Sequence, residues 1–384
     1  MMSAQTSIPP TTVALLTNGP GPVHLDGDDL VHNPIGCLPD LEPETLDDAF
    51  SGRVGPLIGW DNPHVITLDD DRWIWIGQDA YFDYTGNAND LYHDGRQIQN
   101  FAIDQRGSCL DLIYRGAPDA RHNFELGDVW TDWTRFFWPL GGERHGDSLW
   151  IFWSEMVLSD PPPGPWEGII RHPVGIWLAE YDPETLARRS FEPAPDPGVF
   201  PGYGFAIASD EHHTYLFGNS NLLNLAREGG RDAFHSATQM FLARVPLGEI
   251  DERPEYRTAD GWSRRAYEAA PISERFWAEN TMQPRYLDGR WIAVTKEDGF
   301  WGDEVLIDVA EEPWGPWRTV DRFVYEHRPG STGKLSYQPI ILPWSNPTDG
   351  LAIAISENAE FWEHAVADPP MYRPAVIHRP WPEP

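Results

Sequence analysis

A chain of 384 residues with 60 acidic and 28 basic side chains carries a formal charge of −32. That charge argues against nucleic acid, whose phosphates need a basic face, and it suits an anionic membrane surface poorly. No run approaches the ~18–20 apolar residues of a membrane helix. Cys37 and Cys109 are too few for a disulfide framework; two free thiols are expected, with one bridge as the alternative.

Residues 1–50 are polar and proline-rich, with one helical turn at 46–50, and are expected to wrap the outside of a body formed by 51–384. No basic n-region precedes an apolar h-region, so the expectation is a cytoplasmic protein, or a secreted one whose leader has been removed. Strands are predicted at 64–68 and 72–77 around the acidic turn Asp69-Asp70-Asp71. A polar stretch at 84–107 reads as a long loop, and 108–114 as a third strand. The pattern returns at 136–140 and 148–153 around Asp147, followed by an insertion at 159–173 and a strand at 175–181. A third copy runs through 203–208 and 213–218 around Asp210, with an insertion at 219–236 and a strand at 238–245. The fourth spans 282–287 and 290–294 around Asp288, then 304–310, and the fifth spans 337–342 and 351–355 around Asp349.

The turns at 71, 147, 210, 288 and 349 thus recur every 61–78 residues. A lone hairpin cannot bury its apolar face, but repeating one as part of a larger sheet around a ring can. The predicted fold is therefore an all-β, five-bladed β-propeller in a single domain with long mouth loops. Nineteen Trp and 17 Phe supply its core, and 37 Pro and 34 Gly suit many turns and few helices.

In such a ring the starts of the first strands and the ends of the second share one mouth. Trp60, Asp61, Asn62, Arg135, Tyr203, Gln283 and Tyr337 belong to the former, and Gln78, Asp79, Glu155, Asn219 and Glu297 to the latter. Carboxylates, amides and aromatics together suit a sugar, because aromatic faces stack on C–H surfaces while polar groups bind hydroxyls. Asp61 and Asp79 bracket the first hairpin and are expected to be neighbours, as a catalytic acid and base require. Glycoside hydrolysis uses such a pair, about 5–5.5 Å apart for retention and about 6.5–9.5 Å for inversion. The competing reading makes both Asp ordinary strand-end residues. The remaining ten are candidate substrate contacts.

His64 and His145 lack zinc spacing, and Asp69-Asp70-Asp71 lacks the calcium-loop pattern. No cofactor or metal ligand is therefore assigned, and a structural Ca²⁺ has no motif behind it. No phosphate-binding glycine loop or Gly-x-Ser-x-Gly elbow occurs.

Several phrases resemble a bacterial propeller family long catalogued as a domain of unknown function and tied to endo-D-arabinanases. They are Trp60-Asp61-Asn62, Trp75-Ile76-Gly77-Gln78-Asp79, Ala243-Arg244-Val245-Pro246-Leu247-Gly248, Trp314-Gly315-Pro316-Trp317, Tyr337-Gln338-Pro339 and Ser356-Glu357-Asn358. The resemblance implies a five-bladed propeller that cleaves furanosidic linkages with two Asp in its first blade, here Asp61 and Asp79. The family carries Gly-Asp-Thr where this chain has Gly77-Gln78-Asp79-Ala80. A gapless alignment puts Gln78 at the acidic position, and a one-residue slip turns a strand side chain to the other face.

Three functions stay open: a glycoside hydrolase on an arabinan-like glycan, a non-catalytic carbohydrate-binding propeller, and a cytoplasmic enzyme of specialised metabolism acting on a small molecule by cyclisation, elimination or isomerisation. Fold alone does not separate them.

Overall fold

The bursts of Trp, Ile, Val and Phe favour extended backbone, and each pairs antiparallel with its neighbour across a tight turn. The computed structural model describes residues 23–24, 30–52, 54–83, 91, 95–115, 123–125, 135–159, 170–195, 202–219, 239–273, 283–297, 302–327, 334–360 and 362–383. They form one domain of five sheets arranged as a five-bladed β-propeller, as expected.

From the axis outward, the first blade runs β3 (Leu57–Asp69), β4 (Arg72–Asp83), β5 (Gly95–Arg106) and β6 (Cys109–Arg115). Beyond β6 lie β2 (Leu30–Cys37) and β1 (Val23–His24). The second comprises β7 (Arg135–His145), β8 (Ser148–Ser159), β9 (Ile170–Tyr181) and β10 (Arg188–Pro193). The third holds β11 (Gly202–Ser209), β12 (His213–Asn219), β13 (Met240–Pro246), β14 (Glu255–Arg257) and β15 (Trp262–Ser263). The fourth has β16 (Arg285–Leu287), β17 (Arg290–Lys296), β18 (Glu304–Ala310) and β19 (Arg318–Val324). The fifth is β20 (Lys334–Ile341), β21 (Leu351–Ala359) and β22 (Ala375–Arg379).

Both faces of a blade are covered, which explains why the strands read as continuous apolar runs. The core is divided into five major clusters, one between each pair of adjacent blades. Phe137 and Trp153 of the second blade meet Ile74 and Ile76 of the first, for example, and Ile341 and Ile353 of the fifth meet Ile292 and Val294 of the fourth. The ring closes between the first and last blades by side-chain packing of Trp75 and Ile103 against Ile340 and Ala352. The helix α1 (Pro43–Ser51) clasps the seam, since its Asp47 accepts the Val376 N–H of β22 at 2.8 Å. Arg373 reinforces it by donating to the Ile58 carbonyl at 2.7 and 2.9 Å. Arg72, 2% exposed, binds both oxygens of buried Asp104 and reaches the Pro183 and Glu184 carbonyls of the second blade.

Two expectations are corrected. The stretch read as a loop at 84–107 contains β5, so 109–115 is the fourth strand rather than the third. Two of its polar residues, Asn100 and Gln105, hid the pattern because they are buried and satisfied by distant partners. Asn100 bonds the Glu125 and Phe137 carbonyls, and Gln105 accepts the Trp75 indole N–H at 2.6 Å. Residues 84–90 and 92–94, with most of both later insertions, lie outside the described residues. The cysteines are not free thiols: Cys37 and Cys109 face each other across β2 and β6 and form a disulfide. Their separation of 72 residues gave no local signal, because β2 returns along the outer edge of the first blade. Reduction, or the double change Cys37→Ser with Cys109→Ser, is expected to lower unfolding stability by about 2–4 kcal/mol, read as a shift of the urea midpoint. An unchanged midpoint would contradict it.

Candidate active site

The mouth is where β3, β7, β11 and β20 begin and β4, β8, β12 and β21 end. Near this end the inner strands slip register, between Asp61 and Pro63, Pro139 and Gly142, Tyr203 and Ala206, and Tyr337 and Ile340. Bulges of this kind break strict alternation and re-aim side chains. Below the mouth the five inner strands enclose an axial channel of about 370 Å³.

Asp61 pairs in register with Gln78, so Asp79 on β4 is its diagonal neighbour. Both carboxylates are nearly buried, at 8% and 6% exposure. Asp61 accepts the Tyr337 hydroxyl at 2.6 Å, and Asn358 donates to that same hydroxyl oxygen at 3.3 Å. Asp79 Oδ1 accepts Gln97 Nε2 at 3.2 Å and Trp138 Nε1 at 3.3 Å, while its main-chain carbonyl accepts the Tyr372 hydroxyl at 2.9 Å. Burial first, and then the negative charge of both Asp61 and Asp79, hold the Tyr337 and Tyr372 phenols well above their usual range. Both phenols therefore remain protonated donors, and each senses both carboxylates.

Asp79 has φ of +40°, in the left-handed region that Asp tolerates better than most residues. This turn inside β4 breaks the alternation on which the expected slip rested. The Asp79 side chain accordingly joins the mouth network, while Gln78 is half-exposed beside it.

In the second blade Glu155 is 7% exposed; its Oε1 accepts Arg135 Nε at 2.5 Å and its Oε2 accepts Trp177 Nε1 at 2.8 Å. Gly175 gives it room, since a Cβ there would lie 3.2 Å from Glu155 Oε2. Gln283 lines the channel beside His64, whose burial lowers its pKa to about 4 and keeps the ring neutral.

Three expected contacts are corrected. Trp60 is 1% exposed, its ring wedged between Phe50 at 4.9 Å and Phe101 at 5.2 Å, so it is core. Tyr203 packs in the cluster between the second and third blades, 5.0 Å from the Tyr256 ring. Glu297 pairs with Arg322 of the outer strand β19 at 2.5 Å, because buried Lys296 before it takes the opposite face. The side chains of Asn62 and Asn219 lie outside the described residues.

Sequence reasoning missed Trp138, Gln97 and Tyr372. Trp138 sits in an apolar run that reads as core, Gln97 in the unrecognised strand β5, and Tyr372 in a segment with no repeat pattern. Lys296 is also notable: 1% exposed, it donates to the Ser336 carbonyl and, at 2.9 Å, to the Ser336 hydroxyl, tying β17 to β20. Burial pulls its pKa from 10.5 to about 7, against a smaller upward pull from Asp303. The unfolded chain then binds this proton more tightly than the folded one. The penalty is full below about pH 7 and fades as pH rises toward 10.5. Between pH 7 and 9 the wild type is expected to gain stability relative to Lys296→Met in urea unfolding; parallel curves would contradict this. Among the described residues, no group of three or more His, Cys, Asp or Glu is placed to hold a metal ion.

Among solved structures, a Bacteroides ovatus protein provisionally described as a hydrolase superposes with a TM-score of 0.62 at 16% identity, covering 93% of this chain and 92% of that one. That likeness shows the shared fold. An α-L-arabinofuranosidase from Podospora anserina in complex with cellotriose is 11% identical with a TM-score of 0.45, covering 85% of this chain and 92% of its own. A β-xylosidase/α-arabinofuranosidase from a compost metagenome, in complex with xylotriose, is 12% identical with a TM-score of 0.44, covering 83% and 91%. No curated protein matches. Residues 45–378 match the family described as a domain of unknown function, DUF5005, and the chain belongs to that family.

Proposed function

We propose that the protein is a glycoside hydrolase that cleaves furanosidic, arabinan-like linkages with Asp61 and Asp79 as its carboxylate pair. The observation that carries this reading is the joining of two nearly buried carboxylates from adjacent strands to neutral donors of two other blades at the mouth. In this reading Asp61, held by the 2.6 Å bond from a neutral phenol, acts as base or nucleophile, and Asp79, held by Gln97 and Trp138, acts as the general acid. Trp138, beside Asp79, offers an aromatic face to a sugar ring, and Arg135 with Glu155 offers polar contacts. The disulfide supports work in an oxidising compartment outside the cytoplasm.

The test is product release by the wild-type protein from a panel of furanosyl polymers and oligosaccharides, beside pyranosyl xylan and cellulose. Oligosaccharides released from an arabinan are expected. Saturable sugar binding with no product would instead mark a carbohydrate-binding propeller. Inertness toward every glycan would leave small-molecule chemistry.

A further inference from the structure

Among the described residues, four that are not glycine have positive φ: Asp79, Leu186, Asp288 and Gln338. Leu186 and Asp288 lie in the turns between β9 and β10 and between β16 and β17, where such backbone is ordinary. Asp79 and Gln338 lie inside strands, and both are at the mouth.

Gln338, with φ of +48°, is disfavoured twice. A left-handed conformation crowds its Cβ, and the following Pro339 pushes the preceding residue toward extended backbone. The third blade shows how the fold meets the same need elsewhere. There Gly204, with φ of +90°, follows Tyr203 in the register break of β11, as Gln338 follows Tyr337 in that of β20. Glycine adopts this conformation at no steric cost. The fifth blade instead keeps a glutamine, 7% exposed, directly after the tyrosine that holds Asp61. Strained backbone at a non-glycine residue persists where its surroundings over-determine it, and it clusters at functional sites.

We propose that Gln338 is a specificity residue, its carboxamide binding sugar hydroxyls beside the Asp61–Tyr337 pair; this rests on the hydrolase reading above. A carboxamide suits the task because it donates and accepts, as a hydroxyl does. Gln338→Gly removes the amide while relieving the backbone. It is expected to keep or raise the Tm while lowering kcat/KM on the arabinan substrate at least tenfold. Gln338→Asn, which keeps an amide and tolerates left-handed backbone, is expected to recover part of the loss. Calorimetric binding of an arabino-oligosaccharide is expected to weaken at least tenfold in Gln338→Gly.

Wild-type kcat/KM in the glycine variant would overturn the inference, as would a lowered Tm accompanying lost activity, which would mark Gln338 as structural. A wild type that binds the oligosaccharide without cleaving it defeats the hydrolase reading alone, because the binding comparison still reads Gln338. A wild type that neither binds nor cleaves defeats both.

Discussion

Asp61→Asn and Asp79→Asn are each expected to lower kcat/KM on a furanosyl polymer by about 10²–10⁴-fold, the range for loss of a general acid or base. Both variants should stay folded, because asparagine is nearly isosteric and its carbonyl still accepts the bonds from Tyr337, or from Gln97 and Trp138. Asparagine also tolerates the left-handed backbone found at position 79. The two losses should differ in kind. An aryl furanoside whose leaving group departs without a proton should still be cleaved by Asp79→Asn, since only the acid has become dispensable. Asp61→Asn should fail on that substrate as on the polymer. Full activity of Asp61→Asn would sink the assignment, and the reverse pattern on the aryl substrate would exchange the two roles.

Arg72→Met is expected to cost about 3–5 kcal/mol of unfolding stability, against the ~5–15 kcal/mol available to an ordinary domain. Arg72 and Asp104 are each 2% exposed and joined by bonds of 2.8 and 2.9 Å. Removing the guanidinium leaves buried Asp104 with the single longer bond from Arg106 Nε at 3.3 Å, and it also frees the Pro183 and Glu184 carbonyls that the arginine links to the first blade. Much of the loss comes from the poorly compensated carboxylate. The double variant Arg72→Met with Asp104→Asn should therefore recover part of it, as urea midpoints can measure. A loss below about 1 kcal/mol would show that water reaches Asp104 and that the pair behaves as an exposed one.

The propeller was legible because its signals are local. Apolar bursts, acidic turns and glycines act over a few residues, and a hairpin pairs the strands that carry Asp61 and Asp79 whatever the rest of the chain does. The strand β5 escaped because Asn100 and Gln105 are buried polar residues whose side-chain partners lie on another strand and in another blade. Trp60 and Tyr203 misled for a related reason. An aromatic at a strand start can face the mouth or the inter-blade core, and the register breaks decide which.

By itself, then, the sequence determined the class of fold, the number of blades and the pairing of the two strands that carry Asp61 and Asp79, all of which follow from interactions between near neighbours in the chain. Tertiary structure alone decided what surrounds them. Tyr337 reaches Asp61 across 276 positions and Trp138 reaches Asp79 from the next blade, while Cys37 meets Cys109 only because β2 returns to the edge of the first sheet. Those contacts depend on closing the ring, on the bulges that set each strand's register, and on left-handed turns at Asp79 and Gln338 that pattern reasoning does not anticipate.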